Sequence, residues 1–173
     1  LPVSTRVSPR LRDSAKWSIA GVPIEMPTQS ALAVSDEERL ATYEYQWEHG
    51  GIIEVLWSYL DHGASVEANE KLCEFFRNKI RAKVHDPVTA ELLCPTTFPI
   101  GTKRMCVDSG YYETFNLPHV RLVDLRSHPI ATVTEAGIDL VDESLSFDDI
   151  VLATGFDAMT GAMVAVDITG RDG

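Results

Sequence analysis

Apolar positions in the first half of the chain recur at three- and four-residue steps, and the second half breaks into short alternating or continuous apolar runs. The first pattern is that of helices packed through one stripe, the second that of strands. Residues 1–34 are punctuated by Pro2, Pro9, Pro23 and Pro27 and read as irregular, with a short amphipathic stretch near 10–17. Ser35-Asp36-Glu37-Glu38 is a capping box: the serine hydroxyl accepts from the third helical amide, and the glutamate reaches back to the cap amide. It predicts a helix from 36 to about 49, with Leu40, Tyr43 and Trp47 on one face and Gly50-Gly51 ending it. A second helix is predicted over 52–60. A third, over about 66–84, starts at Ser65 and presents Leu72, Phe75, Phe76, Ile80 and Val84 as a stripe. Its last turns carry Lys79, Arg81 and Lys83, where cations suit the helix dipole. Asp86-Pro87 restarts a short helix to Leu93, the aspartate as cap and the proline in the first turn.

The pattern changes at Cys94-Pro95. Residues 96–102 read as loop. Ser109 is the expected cap of a helical turn holding Tyr111, Tyr112 and Phe115, whose aromatic rings read as ordinary packing. Residues 120–125 alternate as a half-buried strand, and 130–133 with 138–141 form a hairpin around Gly137. The run 147–153 suits a strand buried on both faces of an α/β sheet. Thr154-Gly155 follows at its carboxyl end, where open α/β sheets bind ligands. The expected class is therefore α/β: a helical layer, then part of a sheet.

Composition narrows the function. The 173 residues carry a formal charge of −11, which repels phosphate backbones and argues against a nucleic-acid partner. A local basic site remains open, because clustered cations act at short range. Cys73, Cys94 and Cys106 form no CxxC pair and read as free thiols of a reducing compartment. No apolar run approaches the ~20 residues of a membrane span, and Leu1-Pro2-Val3-Ser4 does not begin a signal peptide, so a cytoplasmic location is expected.

Glycine-rich phosphate loops and the GxSxG elbow are absent. His49, His62, His85, His119 and His128 lack metal-ligand spacing and read as surface or loop residues. Asp148-Asp149 point to opposite faces of a strand and read as solvated. Lys103-Arg104 differs by its setting, in a loop after Pro99-Ile100-Gly101. A lysine is a compact charge for a phosphate, and an arginine offers a planar fork of donors.

Three segments go further: Phe98-Pro99-Ile100-Gly101-Thr102-Lys103-Arg104, then Asp108-Ser109-Gly110-Tyr111-Tyr112-Glu113-Thr114-Phe115-Asn116, then Val120-Arg121-Leu122-Val123-Asp124. With Ala153-Thr154-Gly155-Phe156-Asp157-Ala158 and the upstream Trp47-Glu48-His49-Gly50-Gly51, they closely resemble the class B flavoprotein monooxygenases of Baeyer–Villiger type. The resemblance runs from about Leu11 onward. It implies a two-dinucleotide-binding-domain architecture of which this chain is an internal piece. Residues 1–94 would be the helical insertion with an irregular start, 95–153 the C-terminal half of a Rossmann-like NADPH-binding domain, and 154–173 the return toward the FAD domain.

The resemblance also implies chemistry. The larger protein would oxidise a ketone to an ester or lactone with NADPH, FAD and O₂. Lys103 would bind the NADPH 2′-phosphate. Arg104 would be catalytic, beside the flavin, where a pre-placed positive donor stabilises developing anionic charge. Thr154 and Gly155 are cofactor-binding candidates. The family's two GxGxxG loops lie outside this stretch, so the chain alone is not expected to turn over. Its partners would be the remaining FAD and NADPH domains. A different reading is a non-catalytic helical and partial-sheet module that associates with a protein through its open sheet edges.

Overall fold

A computed structural model describes residues 13, 15–16, 26–106, 108–155 and 161–171. The helical stretch expected near 10–17 lies outside these residues except for Asp13, Ala15 and Lys16, which are helical. Contacts divide the chain into two units, Leu1–Leu122 and Val123–Gly173.

The first unit is helical: α1 (Asp36–His49), α2 (Ile52–Leu56), α3 (Val66–Lys83), α4 (Pro87–Leu93) and α5 (Tyr111–Thr114). The expected caps form. The Ser35 hydroxyl accepts from the Glu38 amide at 3.2 Å, that of Ser65 from Ala68 at 3.2 Å, and the Asp86 carboxylate from Thr89 at 2.8 Å. Each gives a first-turn amide the partner that the helix cannot supply. The cap of α5 differs from expectation. The carboxylate of Asp108, not Ser109, accepts from the amides of Gly110 and Tyr111, at 3.0 and 2.8 Å. Gly110 stands between them at φ 94°, a left-handed conformation that a side chain disfavours.

Helix α2 stops at Leu56 instead of running to 60. The chain then turns through residues 57–64, which buries Tyr59 and His62. On α1 the inward positions are Arg39 and Tyr43, and Leu40 is 52 % exposed. Arg39 displaces it by bonding the Ala31 and Val34 carbonyls at 2.8 and 3.0 Å and pairing with Asp36. A planar fork with three acceptors satisfies a buried guanidinium.

Helix α3 organises the unit, packing against α1, α4 and α5. Its predicted stripe is buried at Leu72, Phe75 and Ile80, with Val84 just beyond. One core joins Ala31, Tyr43, Val55, Tyr59, Ala68, Leu72 and Phe75. A second joins Ile80, Val84, Ala90 and Cys94, covered by Leu93, Tyr112 and Phe115. The three cysteines are free, with Cys73 and Cys94 buried.

The second unit holds β1 (Ile130–Thr134), β2 (Gly137–Leu140), β3 (Ser144–Ser146) and a short α6 (Gly161–Val164). The strands form an antiparallel sheet in the order β1-β2-β3. The expected hairpin is present, with Gly137 as the first residue of β2 rather than in the turn. Two expected strands are not formed. Residues 120–125 and 147–153 have no ladder partner among the described residues. A strand exists only through the neighbour that takes up its amides and carbonyls, so an apolar pattern alone does not make one. Val151 and Leu152 are instead 86 % and 82 % exposed. The chain is thus mixed helix and strand, and the sheet it shows is antiparallel.

Candidate functional site

The Lys103-Arg104 loop hangs from α3. At its start, a turn runs from Pro99 to Thr102, closed by the Thr102 amide and hydroxyl on the Pro99 carbonyl at 3.3 and 2.7 Å. Gly101 takes φ 89° within it, which explains the glycine. Asn69 of α3 grips the same turn. Its Oδ1 accepts from the Ile100 amide at 2.9 Å, and its Nδ2 donates to the Ile100 carbonyl at 3.0 Å. Nδ2 donates also to the His62 carbonyl at 2.8 Å, and the Cys73 thiol donates to Oδ1 at 3.2 Å. Two donations and two acceptances use the full capacity of a carboxamide.

At the far end of the loop, the Lys83 ammonium pairs with Asp108 and with Glu113, the latter at 3.0 Å. Asn116 adds a bridge, donating to the Lys83 carbonyl at 2.7 Å and accepting from the His85 amide at 2.8 Å. Upstream, the buried Arg77 donates to the Pro95 carbonyl at 3.2 Å and pairs with Glu70 and Glu74. Pro95, Ile100 and Asp108 are therefore held by Arg77, Asn69 and Lys83 along one helix.

Between the anchors, Lys103 and Arg104 are exposed. The Lys103 ammonium lies 6.0 Å from the Phe98 ring centroid, at the limit of a cation–π contact. Neither residue has a carboxylate partner among the described residues. The contrast with Lys79, Arg81 and Lys83 is direct: each of those cations is neutralised, by Glu44, by Glu74 and Glu91, and by Asp108 and Glu113. In a chain of charge −11, two adjacent cations without a carboxylate partner among the described residues form a local positive site.

Beside the Pro99–Thr102 turn lies a cavity of about 570 Å³, lined by Leu56, Trp57, Leu60, His62, Asn69 and residues 99–102 among others. Its size is that of a small-molecule pocket. His62, expected at the surface or in a loop, lies in the loop after α2 and is buried there. Desolvation lowers its pKa, so the ring is held neutral. Burial likewise raises the Cys73 thiol, which disfavours a reactive thiolate there.

Thr154 and Gly155 belong to the second unit, both exposed, with Gly155 at φ 92°. The segment Phe156-Asp157-Ala158 lies outside the described residues. Among the described residues no cluster of His, Cys, Asp and Glu could hold a metal ion, and no helix is long and apolar enough to cross a membrane.

The sequence singled out the cationic pair and did not single out Asn69 or His62. The signal for Asn69 was its helical phase, three and seven residues before Leu72 and Phe76, on the buried face of α3. No comparable signal marked His62.

No profile of a known protein family matches the chain. Individual proteins do. It is 38 % identical over 164 residues to the 2-oxo-Δ3-4,5,5-trimethylcyclopentenylacetyl-CoA monooxygenase of Pseudomonas putida, covering 95 % of this chain and 30 % of that protein. Other relatives are a cyclopentanone 1,2-monooxygenase, a cyclohexanone 1,2-monooxygenase and a Baeyer–Villiger monooxygenase. Among solved structures it matches an oxidised steroid monooxygenase bound to NADP, with TM-score 0.87, 46 % identity and coverage of 94 % of this chain and 31 % of that one. It also matches OTEMO in complex with FAD and NADP, with TM-score 0.89, 38 % identity and coverage of 95 % and 31 %. The chain spans about 30 % of the length of the curated relatives it matches.

Proposed function

We propose that this chain, a relative of the Baeyer–Villiger monooxygenases over one stretch of their length, supplies the cationic loop of an NADPH- and FAD-dependent enzyme that oxidises ketones to esters or lactones with O₂. The observation that carries the reading is the pair Lys103-Arg104, exposed and without carboxylate partners among the described residues, on a loop tied to α3. Such a pair fits an anionic cofactor, because no described carboxylate neutralises its charge.

In this reading Lys103 holds the 2′-phosphate of NADPH. Arg104 faces the flavin and stabilises negative charge as it develops during oxygen transfer, without reorganising. The flavin, when bound, supplies the oxygen activation. Thr154 and Gly155 bring backbone close to a cofactor, since glycine leaves room for that approach. Residues 1–94 then correspond to the helical insertion, 95–153 to the returning half of the NADPH-binding domain, and 154–173 to the crossing toward the FAD domain. The exposed apolar side chains Val151 and Leu152 support association with the rest of those domains.

The test is a chimera in which this chain replaces the matching stretch of the Comamonas cyclopentanone monooxygenase. Cyclopentanone-dependent NADPH oxidation and lactone formation are the expected results. Arg104→Ala should abolish lactone formation while flavin absorbance is retained. Full ketone oxidation by Arg104→Ala would remove the assigned role.

A further inference from the structure

Resting on that reading, we infer that Asn69 is a positioning residue for the Lys103-Arg104 pair, and that α3 holds the pair as a strap fixed at both ends by Asn69 and Lys83. The front anchor is specific in its chemistry. The Asn69 carboxamide takes both backbone polar groups of Ile100 at once, at 2.9 and 3.0 Å, three residues before Lys103. Its orientation is determined, because Oδ1 faces an amide and a thiol while Nδ2 faces two carbonyls. A rotated amide would set nitrogen against a donor and oxygen against two acceptors. The carboxamide also reports to the His62 carbonyl, so the turn at residues 99–102 is registered against both α3 and the loop after α2.

The rear anchor is ionic. Lys83 holds Asp108, and the same carboxylate caps α5 through the Gly110 and Tyr111 amides. Fourteen residues of helix separate Asn69 from Lys83, about 21 Å at 1.5 Å per residue. The eight peptide units from Ile100 to Asp108 span at most about 28 Å. Side-chain reach at Lys83 relieves part of that distance, and the turn at Gly101 consumes part of the length. The available length thus exceeds the span, and the loop is restrained by its two anchors rather than pulled taut. Two exposed cations on a loop tethered at one end would sample more placements, whereas anchors on both sides restrict them, which lowers the ordering cost of binding an anion.

The test uses the 173-residue chain with two readouts, amide hydrogen exchange and titration with 2′,5′-ADP as a 2′-phosphate probe. Asn69→Ala should speed exchange at Ile100 and Thr102 by about tenfold or more while the amides of α1 stay protected. It should weaken 2′,5′-ADP binding by about ten- to a hundredfold, the scale of a displaced binding group. Leu72→Ala, a core variant of the same helix, is the control, expected to raise exchange across the helices with no preference for the loop. If Asn69→Ala gives that same uniform pattern, its role is structural only and the inference fails. If exchange is selective but Asn69→Ala binds the probe as the parent chain does, while Lys103→Ala does not, the positioning role is likewise refuted. If the parent chain and Lys103→Ala bind the probe equally or not at all, the phosphate reading fails, and the exchange pattern still decides whether Asn69 fixes the loop. Should Asn69→Ala not fold, Lys83→Ala tests the strap from its exposed end. Selective loosening at Cys106 and Asp108 is then expected, and undisturbed exchange there overturns the two-anchor arrangement.

Discussion

The Tyr43 hydroxyl donates to Nε2 of His62 across 2.8 Å, beneath the turn that follows α2. The other ring nitrogen, Nδ1, lies 3.2 Å from the Leu56 carbonyl. A carbonyl only accepts, so Nδ1 carries the proton and Nε2 is the acceptor. The ring is neutral, buried and satisfied at both nitrogens, and Tyr43 packs edge-on against Tyr59 with centroids 5.9 Å apart. Tyr43→Phe keeps the ring packing and strands Nε2. The expected loss is about 1–3 kcal/mol, the cost of an unsatisfied buried acceptor, read from urea unfolding. A change within a few tenths would show that the bond is not needed.

The same histidine sets a pH dependence. Burial holds its folded-state pKa below the ordinary value of 6.5. Below pH 6.5 the unfolded chain therefore binds a proton that the folded chain refuses. Stability rises with pH wherever the unfolded state holds more protons, so the His62 contribution is complete above about 6.5 and falls as the pH drops toward the lowered value. Asp61 acts in a lower window. Burial opposes its charge, but the Ser30 hydroxyl and the Ala31 amide hold its pKa below 3.8, so its contribution is lost only as pH falls through that range. Unfolding curves between pH 7 and 5 should show a decline that His62→Gln removes. An unchanged decline in that variant would assign it to other groups.

Much of the first unit was legible because caps and periodicity are local. Ser35, Ser65 and Asp86 declare helix starts within four residues of chain, and each start holds. The polar interior was not legible. Arg39, His62, Asn69 and Arg77 are buried because of partners 3 to 31 residues away, and their residue types ordinarily mark a surface. The second unit failed differently. Residues 120–125 and 147–153 have strand composition but form no strand of the sheet among the described residues. The cationic pair was visible as a motif, while its lack of acidic partners among the described residues needed the structure.

The sheet of the second unit depends on Gly137. It pairs with both Thr134 and Ser146, and a β-carbon there would stand 2.0 Å from the Leu145 carbonyl oxygen. Backbone cannot yield as a flexible side chain does. Gly137→Ala should separate β2 from β3 and cost at least the 1–3 kcal/mol typical of overpacking. Amide exchange at Phe147, which donates to the Ala136 carbonyl at 3.1 Å, is the direct measure. Retained protection at that amide would mean that the strands accommodate the methyl.

Lys103 makes the sharpest prediction about cofactor choice. A 2′-phosphate distinguishes NADPH from NADH, so a lysine serving it should affect one cofactor and spare the other. The site is exposed, so Coulomb attraction is worth only about 1 kcal/mol at 4 Å in water. A charge-assisted hydrogen bond, which includes that attraction, is worth about 1.5–3 kcal/mol. This amounts to a preference of about ten- to hundredfold, at roughly 1.4 kcal/mol per factor of ten. In the chimera, Lys103→Ala should raise the KM for NADPH by one to two orders of magnitude and leave that for NADH nearly unchanged. Lys103→Arg, which keeps the charge, should retain most of the preference. Added salt should narrow the gap between parent and Lys103→Ala, because an exposed ion pair is screened within a Debye length of about 10 Å at 0.1 M. Equal losses with both cofactors would place Lys103 away from the phosphate, and its effect would then be on the loop as a whole.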